Sequence, residues 1–213
     1  MALFGILKYG DLEAVDDSSV GIVFSTPLTI NSNQPVLAAD TISLKRKTMG
    51  QRAQRWEIVT NVCPTVGSNE YLLQSVTNGH DQSFRVRMPQ IPNSKYSNAA
   101  LSVLEQALRG GVYISYIPET TGDLIAGEFI NFANHKKVYL VTSVDQESNA
   151  ITIFPPLLAN VDVGELISHG DSTILHVKNE TSTVLGMTFI DGLLMDPGTV
   201  TLVEDLEGYG NGV

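Results

Sequence analysis

Residues 127–157, GEFINFANHKKVYLVTSVDQESNAITIFPPL, constrain the fold more than any other stretch of the chain. Three runs of apolar and β-branched residues are separated by two short polar breaks, at 134–137 and 145–149. Runs of this length between turn-forming residues are typical of antiparallel strands connected one after another. Pro155 and Pro156 end the pattern, because proline has no N–H to donate to a strand ladder. The stretch therefore predicts a three-stranded meander, and it contains no obvious catalytic group.

Strand patterns also dominate the rest of the chain. Apolar and polar residues alternate at 54–61 and at 83–88, as they do in half-buried strands. Helical spacing of apolar residues occurs at 68–77 and again at 99–108. The second of these predicted helices has a single apolar stripe of Leu101, Leu104 and Leu108. A count of about eleven strands and two short helices predicts a mainly β fold.

Two segments divide the chain into candidate domains. Residues 89–98 are rich in proline and polar side chains, which is typical of a linker, and residues 168–171 read as a turn. We predict a split β-barrel or sandwich main domain that is built from both chain ends, residues 1–88 plus 170–213. A small β-barrel, which could be of the OB type, is predicted as an insert at residues 89–169.

Length and composition are those of a folded protein with a substantial core. Hydrophobic residues make up 43% of the 213 positions. Cys63 is the single cysteine, so an internal disulfide and a cysteine metal cluster are excluded. No apolar run approaches the roughly 20 residues of a membrane span, and the first seven residues are too short for a secretory segment. We therefore expect a soluble protein that is made in the cytoplasm and is not inserted in a membrane.

The net charge of −10 is distributed unevenly. Residues 41–87 carry seven bases and three acids, whereas residues 145–213 carry eleven acids and one lysine. Proteins that grip nucleic acid usually show net positive charge or a long basic stripe, so this chain is a poor candidate for that class. A local basic cluster is the exception to the acidic character of the chain, and it consists of Lys45, Arg46, Lys47, Arg52 and Arg55. This basic cluster predicts either a solvated face or half of an electrostatic contact with another subunit.

The sequence contains no convincing catalytic constellation. Its four histidines do not show metal-ligand spacing, and no glycine-rich phosphate loop follows a strand. Ser168, His169 and Asp171 lie together in one turn, whereas a catalytic triad is assembled from separate elements. The last residues, 204–213, are predicted to form a flexible acidic and glycine-rich tail. We therefore predict that the protein is not an enzyme and needs neither a metal nor another cofactor.

The order of elements across residues 84–169 supports a resemblance to a known family. A Phe-Arg-Val-Arg strand precedes the linker, residues 127–129 and 137–139 begin two strands, Asn149 lies in a turn, and residues 154–157 end the pattern. This arrangement resembles the distal tail protein family of long-tailed bacteriophages. It is most similar to the siphophage form, which carries an OB-like barrel inserted in its main β domain, and the match covers about 40% of the chain.

The resemblance implies a structural virion protein of the phage tail tip. In that family six copies form a ring that joins the tail tube to the central hub, the baseplate and the side fibres. The main domain resembles the tube subunit, and the inserted barrel points outward. DNA passes through the central channel only as cargo. The family has no catalytic residues, and its members are synthesised in the host cytoplasm before viral assembly.

Two sets of residues become candidates under this hypothesis. The basic cluster, together with Trp56, would contact an acidic surface of the next subunit; Trp56 is the single tryptophan and is predicted to anchor the core or an interface. An acidic channel wall would repel phosphates and let DNA pass without sticking. The candidate channel-facing acids are Asp191, Asp196, Glu204 and Asp205.

A binding module is the alternative function. In this interpretation the barrel recognises a carbohydrate or a host receptor, and the rest of the chain is its scaffold. Tyr113 and Tyr116 would be the recognition residues, although both rings could equally belong to the barrel core. The hexameric state is expected from the resemblance alone.

Overall fold

The computed structural model describes part of the chain. The described residues are 6–8, 22–24, 29–40, 46–50, 53–63, 83–88, 101–118, 124–180, 188–190, 193–196 and 199–206. The predicted helix at 68–77 and the predicted linker at 89–98 lie outside these residues.

Seventeen strands and one 3₁₀ turn (Gly170–Ser172) make up the regular structure of the described residues. Several strands have only three residues, which explains why the alternation patterns in the sequence predict fewer of them. In chain order the strands are β1 (Ile6–Lys8), β2 (Ile22–Phe24), β3 (Thr29–Asn33), β4 (Val36–Asp40), β5 (Arg46–Gly50), β6 (Arg55–Cys63), β7 (Phe84–Arg87), β8 (Leu101–Val103), β9 (Tyr113–Ile117), β10 (Phe129–Phe132), β11 (Val138–Asp145), β12 (Ala150–Phe154), β13 (Leu166–His169), β14 (Ile174–Asn179), β15 (Thr188–Ile190), β16 (Leu193–Asp196) and β17 (Thr199–Glu204).

Strands β8 to β13 close into a six-stranded barrel in the order β10-β11-β12-β9-β8-β13. The predicted meander is confirmed, since β11 pairs antiparallel with β10 on one side and with β12 on the other. Residues alternate between the barrel interior and its outer surface. Ile130, Tyr139 and Ile153 are buried inside the barrel, in the core cluster that fills it.

The turn between β11 and β12 is held by Asp145. The Ser148 hydroxyl donates to its Oδ2 atom (2.7 Å), and its Oδ1 atom accepts the N–H groups of Ser148 (3.3 Å) and Glu147 (3.0 Å). These bonds, the Ser148 hydroxyl foremost, lower the pKa of Asp145. Asn149 completes the turn at a φ of 50°, a left-handed conformation that asparagine tolerates better than most residues. The second polar break of the sequence is therefore a hairpin turn, as predicted.

The larger sheet takes its strands from both ends of the chain. Its order is β17-β14-β7-β1-β2-β6-β3, and β17 also pairs with β6, so the ladders form a closed circuit. The described chain is thus mainly β, with a closed barrel and a second, curled sheet. All barrel strands lie between β7 and β14 in sequence, and the division into two domains stays a prediction.

One predicted helix is wrong. Residues 101–103 form strand β8, which pairs with β9 and β13, and Ala107 makes a further bridge to Val161. Leu101 and Val103 are fully buried, two residues apart, while Leu104 is 45% exposed. Leu101, Leu104 and Leu108 match helical spacing, and this match predicts a helix although Leu101 and Val103 also fit the two-residue alternation of a strand. Strand pairing on both sides satisfies the backbone here and overrides the local helical preference.

The barrel packs on the sheet through Trp56 of β6. Its indole ring lies edge-on to Phe129 at 5.4 Å and to Phe154 at 6.3 Å between ring centroids. Phe129 and Phe154 are both register partners of Leu140, so they form one apolar row across the outer surface of the meander. The indole N–H donates a 2.8 Å hydrogen bond to the carbonyl of Val138. Trp56 therefore joins the sheet core to the outside of the barrel.

We expect Trp56→Ala to lower the free energy of unfolding by about 3 to 5 kcal/mol, because it removes a large buried ring from this joint. Chemical denaturation monitored by circular dichroism measures the loss. Tyr113→Ala is the matched control, because Tyr113 is 74% exposed and its loss should cost at most about 0.5 kcal/mol. Equal losses in the two variants would contradict the assigned role of Trp56.

Candidate functional site

A buried polar cluster lies between the sheet and the barrel. Lys137 immediately precedes β11, and its Nζ atom contacts Oε2 of Glu204, the last residue of β17. Nζ also donates to Gln54, to the backbone carbonyl at 3.1 Å and to Oε1 at 2.7 Å. The Glu204 carboxylate accepts the N–H groups of Trp56 and Val138, both at 3.1 Å. One carboxylate thus receives donors from the sheet and from the barrel.

The Lys137–Glu204 pair is enclosed by protein. Its side chains are 3% and 0% exposed, respectively. Burial raises the pKa of Glu204 and lowers that of Lys137, and each partner's opposite charge offsets the effect on the other. A pair this enclosed can hold two elements in register but cannot meet a solute, so its role is structural.

A second buried network lies at one end of the barrel. His135 bonds through Nδ1 to Oδ1 of Asn134 (2.5 Å) and through Nε2 to the hydroxyl of Tyr139 (2.7 Å). The Tyr139 oxygen also accepts the N–H of Leu158 at 2.9 Å. Burial, and then the charge of Lys137, lower the pKa of His135 to about 4, while burial raises that of Tyr139. The neutral ring therefore serves as a fixed connector between loops.

A polar cleft of about 530 Å³ opens beside this network. Arg85 of β7 and His176 of β14 are register partners on its sheet side, and Lys136 lines its barrel side. Burial, and then the charges of Lys136 and Arg85, lower the pKa of His176 to about 4, while Asp205 acts in the opposite direction. The cleft is thus a locally basic place in an acidic protein.

A larger cleft, of about 760 Å³, lies between the β3–β4 connection and the barrel. Pro35 and Val36 line one side, and Pro155, Pro156 and Leu157 line the other. Its walls are mostly apolar and carry no arrangement of groups that suggests chemistry among the described residues.

The side of the barrel formed by β8, β9 and β13 carries exposed hydrophobic residues. We call it the outer barrel face and define it by Leu104, Ile117, Val163 and Leu166. These side chains are between 45% and 65% exposed. Ile117 lies on β9 and Leu166 on β13, while Leu104 follows β8 and Val163 lies in the turn before β13, so none of the four belongs to β10, β11 or β12, the strands that carry the apolar row against Trp56. These four are among the seven large hydrophobic residues that are exposed in the described part of the chain.

The predicted interface residues have different positions. Arg46 and Lys47 lie on β5, and Arg55 is a 44% exposed side chain that bridges Glu57 and Glu180, each at 3.2 Å. Lys45 and Arg52 lie outside the described residues. Trp56 is 4% exposed and packs within the core of its own chain.

The predicted channel-facing acids also divide. Glu204 is enclosed as described, and Asp205 is 7% exposed, accepts a hydrogen bond from Ser83 and lies 3.5 Å from Lys178. Both are therefore internal groups of the chain, so the predicted flexible tail at 204–213 is wrong for residues 204 and 205, while residues 207–213 lie outside the described residues. Asp196 ends β16, and Asp191 lies outside the described residues.

The turn that contains Ser168, His169 and Asp171 is held by hydrogen bonds between His169 and the neighbouring Ser172. The Ser172 hydroxyl donates to the carbonyl of His169 (2.7 Å) and accepts its N–H (3.1 Å). These bonds cap the 3₁₀ turn. Among the described residues, no group of three histidine, cysteine, aspartate or glutamate side chains is placed to hold a metal ion.

Sequence reasoning missed the buried ion pair. Lys137 and Glu204 are 67 residues apart, and each lies in a charged segment that the sequence predicts to be exposed to solvent. The one available signal is that Lys137 directly precedes the apolar run of β11, where a solvated lysine is less expected than at the centre of a turn.

Comparison with known proteins gives no family assignment: no protein-family model and no curated protein matches the chain. Within the part of the chain that the structure describes, no helix has the length and apolar character needed to span a membrane.

Lys137→Met should lower the free energy of unfolding by about 3 to 5 kcal/mol, because it leaves the Glu204 carboxylate buried without its countercharge. The double variant Lys137→Met/Glu204→Gln should be less destabilised than the sum of the single variants, as measured in a double-mutant denaturation cycle. Lys136→Met is the neighbouring control, with an expected loss below about 1 kcal/mol because Lys136 is only half-buried. Additive losses in the cycle would rule out the coupling.

Stability should fall as the pH drops from about 6.5 towards 4. In this window the unfolded chain protonates His135 and His176 at their ordinary pKa of 6.5, whereas the folded protein keeps both neutral until about pH 4. Each ring contributes at most about 3 kcal/mol to this loss. His176→Gln should remove its share, so the difference between wild-type and variant unfolding free energies should change with pH. Parallel pH profiles would exclude the effect.

Proposed function

We propose that this protein is a structural component of a bacteriophage tail tip. Six copies form a ring around the DNA channel, which joins the tail tube to the hub and baseplate. Each copy has a split main domain and an inserted barrel of the OB-like kind. The protein acts through its interfaces and carries out no catalysis.

The observation that carries the proposal is the chain order of the two β units. A curled sheet built from both chain ends surrounds, in sequence, a closed barrel that takes all its strands from residues 101–169. The resemblance to the distal tail proteins implies this order. The barrel has six strands, one more than the usual five of an OB barrel. We assign it to the OB-like insert because of its place in the chain order.

The use of buried polar groups supports a scaffold role. The Lys137–Glu204 pair, the His135 network and the Trp56 N–H each bond to other elements inside the chain. They tie the barrel to the sheet, as a ring subunit requires if its barrel is to keep a defined direction.

The binding-module alternative has one observation in its favour. Tyr113 is 74% exposed on β9 and could stack on a sugar ring, whereas Tyr116 is 2% exposed and belongs to the barrel core. A single exposed ring supports recognition less than two would. A glycan array with Tyr113→Ala as the control variant tests this alternative.

The ring proposal predicts a defined mass in solution. Light scattering and native mass spectrometry of the full chain should show a species of six subunits, or of twelve if two rings stack. A symmetric ring also predicts a closed particle with a central opening in negative-stain images. A strict monomer at high protein concentration, in both low and physiological salt, would contradict the proposal.

A further inference from the structure

The outer barrel face has a definite arrangement that follows from strand register. Strand β8 lies between β13 and β9, and its Ser102 is the partner of both Leu166 and Ile117. These three residues therefore form one row across three strands, with the small serine between two large apolar side chains. Leu104 comes directly after β8, and its N–H donates to the carbonyl of Ser115 on β9, so its exposed side chain belongs to the same end of these strands.

Carboxylates stand directly beside three of these apolar residues in the sequence. Glu105 follows Leu104, Asp162 precedes Val163, and Glu165 precedes Leu166. Glu105 and Asp162 are exposed, and Glu165 is half-buried. An apolar centre with a charged rim is the anatomy of a protein interface, and the sign of the rim calls for a basic partner.

The chain itself carries a two-stranded element with two bases, Arg46 and Lys47, and one acid, Asp40, which is the register partner of Arg46. Strands β4 and β5 form a separate two-stranded ribbon, and within the described residues neither strand joins a larger sheet. A two-stranded ribbon is marginally stable in water unless it packs on another surface. Arg46 and Lys47 lie on this ribbon, in the segment with the highest basic charge of the chain.

We propose that the outer barrel face of one subunit receives the β4–β5 ribbon of a neighbouring subunit. The inference rests on the proposed ring, and it identifies the acidic surface that the basic segment contacts. Because the two surfaces differ, the contact is heterologous: each subunit offers its ribbon to one neighbour and its barrel to the other. Contacts of this kind close into a ring when the rotation between subunits is an integral fraction of a turn.

The apolar and charged parts of the contact have different roles. Burial of Leu104, Ile117 and Leu166 supplies affinity, and the surrounding charges set the orientation of the ribbon and the rate of association. Assembly should therefore weaken as salt is added, because the rim charges remain partly in water and are screened.

Substitutions on the face test the apolar contribution. Leu166→Ser combined with Ile117→Ser should raise the apparent dissociation constant of the assembly on the order of a hundredfold, while thermal unfolding of the monomer is little changed because both side chains are about half exposed. Leu108→Ser is the matched control. Leu108 is 63% exposed but lies outside the row, next to the bridge between Ala107 and Val161, so it should leave assembly unaffected.

Charge reversal tests the identity of the partner. A face-reversed variant replaces Glu105, Asp162 and Glu165 with lysine, and a ribbon-reversed variant replaces Arg46 and Lys47 with glutamate. Neither should assemble alone, because each brings like charges together. An equimolar mixture should assemble into alternating particles, since every ribbon then meets a face of opposite charge. Light scattering gives the masses, and native mass spectrometry gives the composition.

The outcomes separate this inference from the proposed function. If wild-type protein forms a six-subunit particle that neither set of face substitutions weakens, the docking inference is overturned and the ring stands. If face variants keep the ring but lose binding to another tail protein, a different partner covers the face and the inference is again overturned. Failure of the mixture to assemble also overturns it. A wild-type protein that stays monomeric overturns the ring itself.

Discussion

The contact of Glu204 with the start of β11 is the constraint on which the rest of the structure depends. A carboxylate enclosed by protein is strongly destabilising unless donors surround it, and this one receives an ammonium group and two backbone N–H groups. Those donors come from both the sheet and the barrel. If one unit slid along the other, the buried carboxylate would lose some of its donors, which costs free energy. Trp56 adds apolar contact at the same place. The joint therefore fixes the direction in which the barrel projects.

That joint gives the barrel two unlike sides. Phe129, Leu140 and Phe154 of β10, β11 and β12 pack on the sheet core, whereas Ile117 of β9 and Leu166 of β13 are exposed on the other side. Both sides follow from the same two-residue alternation, since a closed barrel needs only its inward residues for its own core. The outward residues are free to serve contacts with other surfaces, and in this chain one set already does so within the subunit.

The internal positions of Glu204 and Asp205 change how the negative charge of the protein is interpreted. Two of the four acids that an acidic channel would use are instead part of the subunit interior. The net charge of a segment thus overstates the charge that it presents to solvent. Under the proposed function, a repulsive channel wall would have to come from acids such as Asp191 and Asp196, while the acids beside the outer barrel face would serve contacts between subunits.

The sequence by itself determined the mainly β class, the meander of β10 to β12 and its turn at Asn149, because side-chain alternation and turn chemistry are local properties of the chain. It did not determine β8, since Leu101, Leu104 and Leu108 also match helical spacing and only pairing with β9 and β13 decides between the two. Nor could it show that Lys137 meets Glu204 or that Trp56 contacts Phe129. These partners are far apart in the chain, and their meeting depends on how a closed barrel sits against a curled sheet, which tertiary structure alone decides.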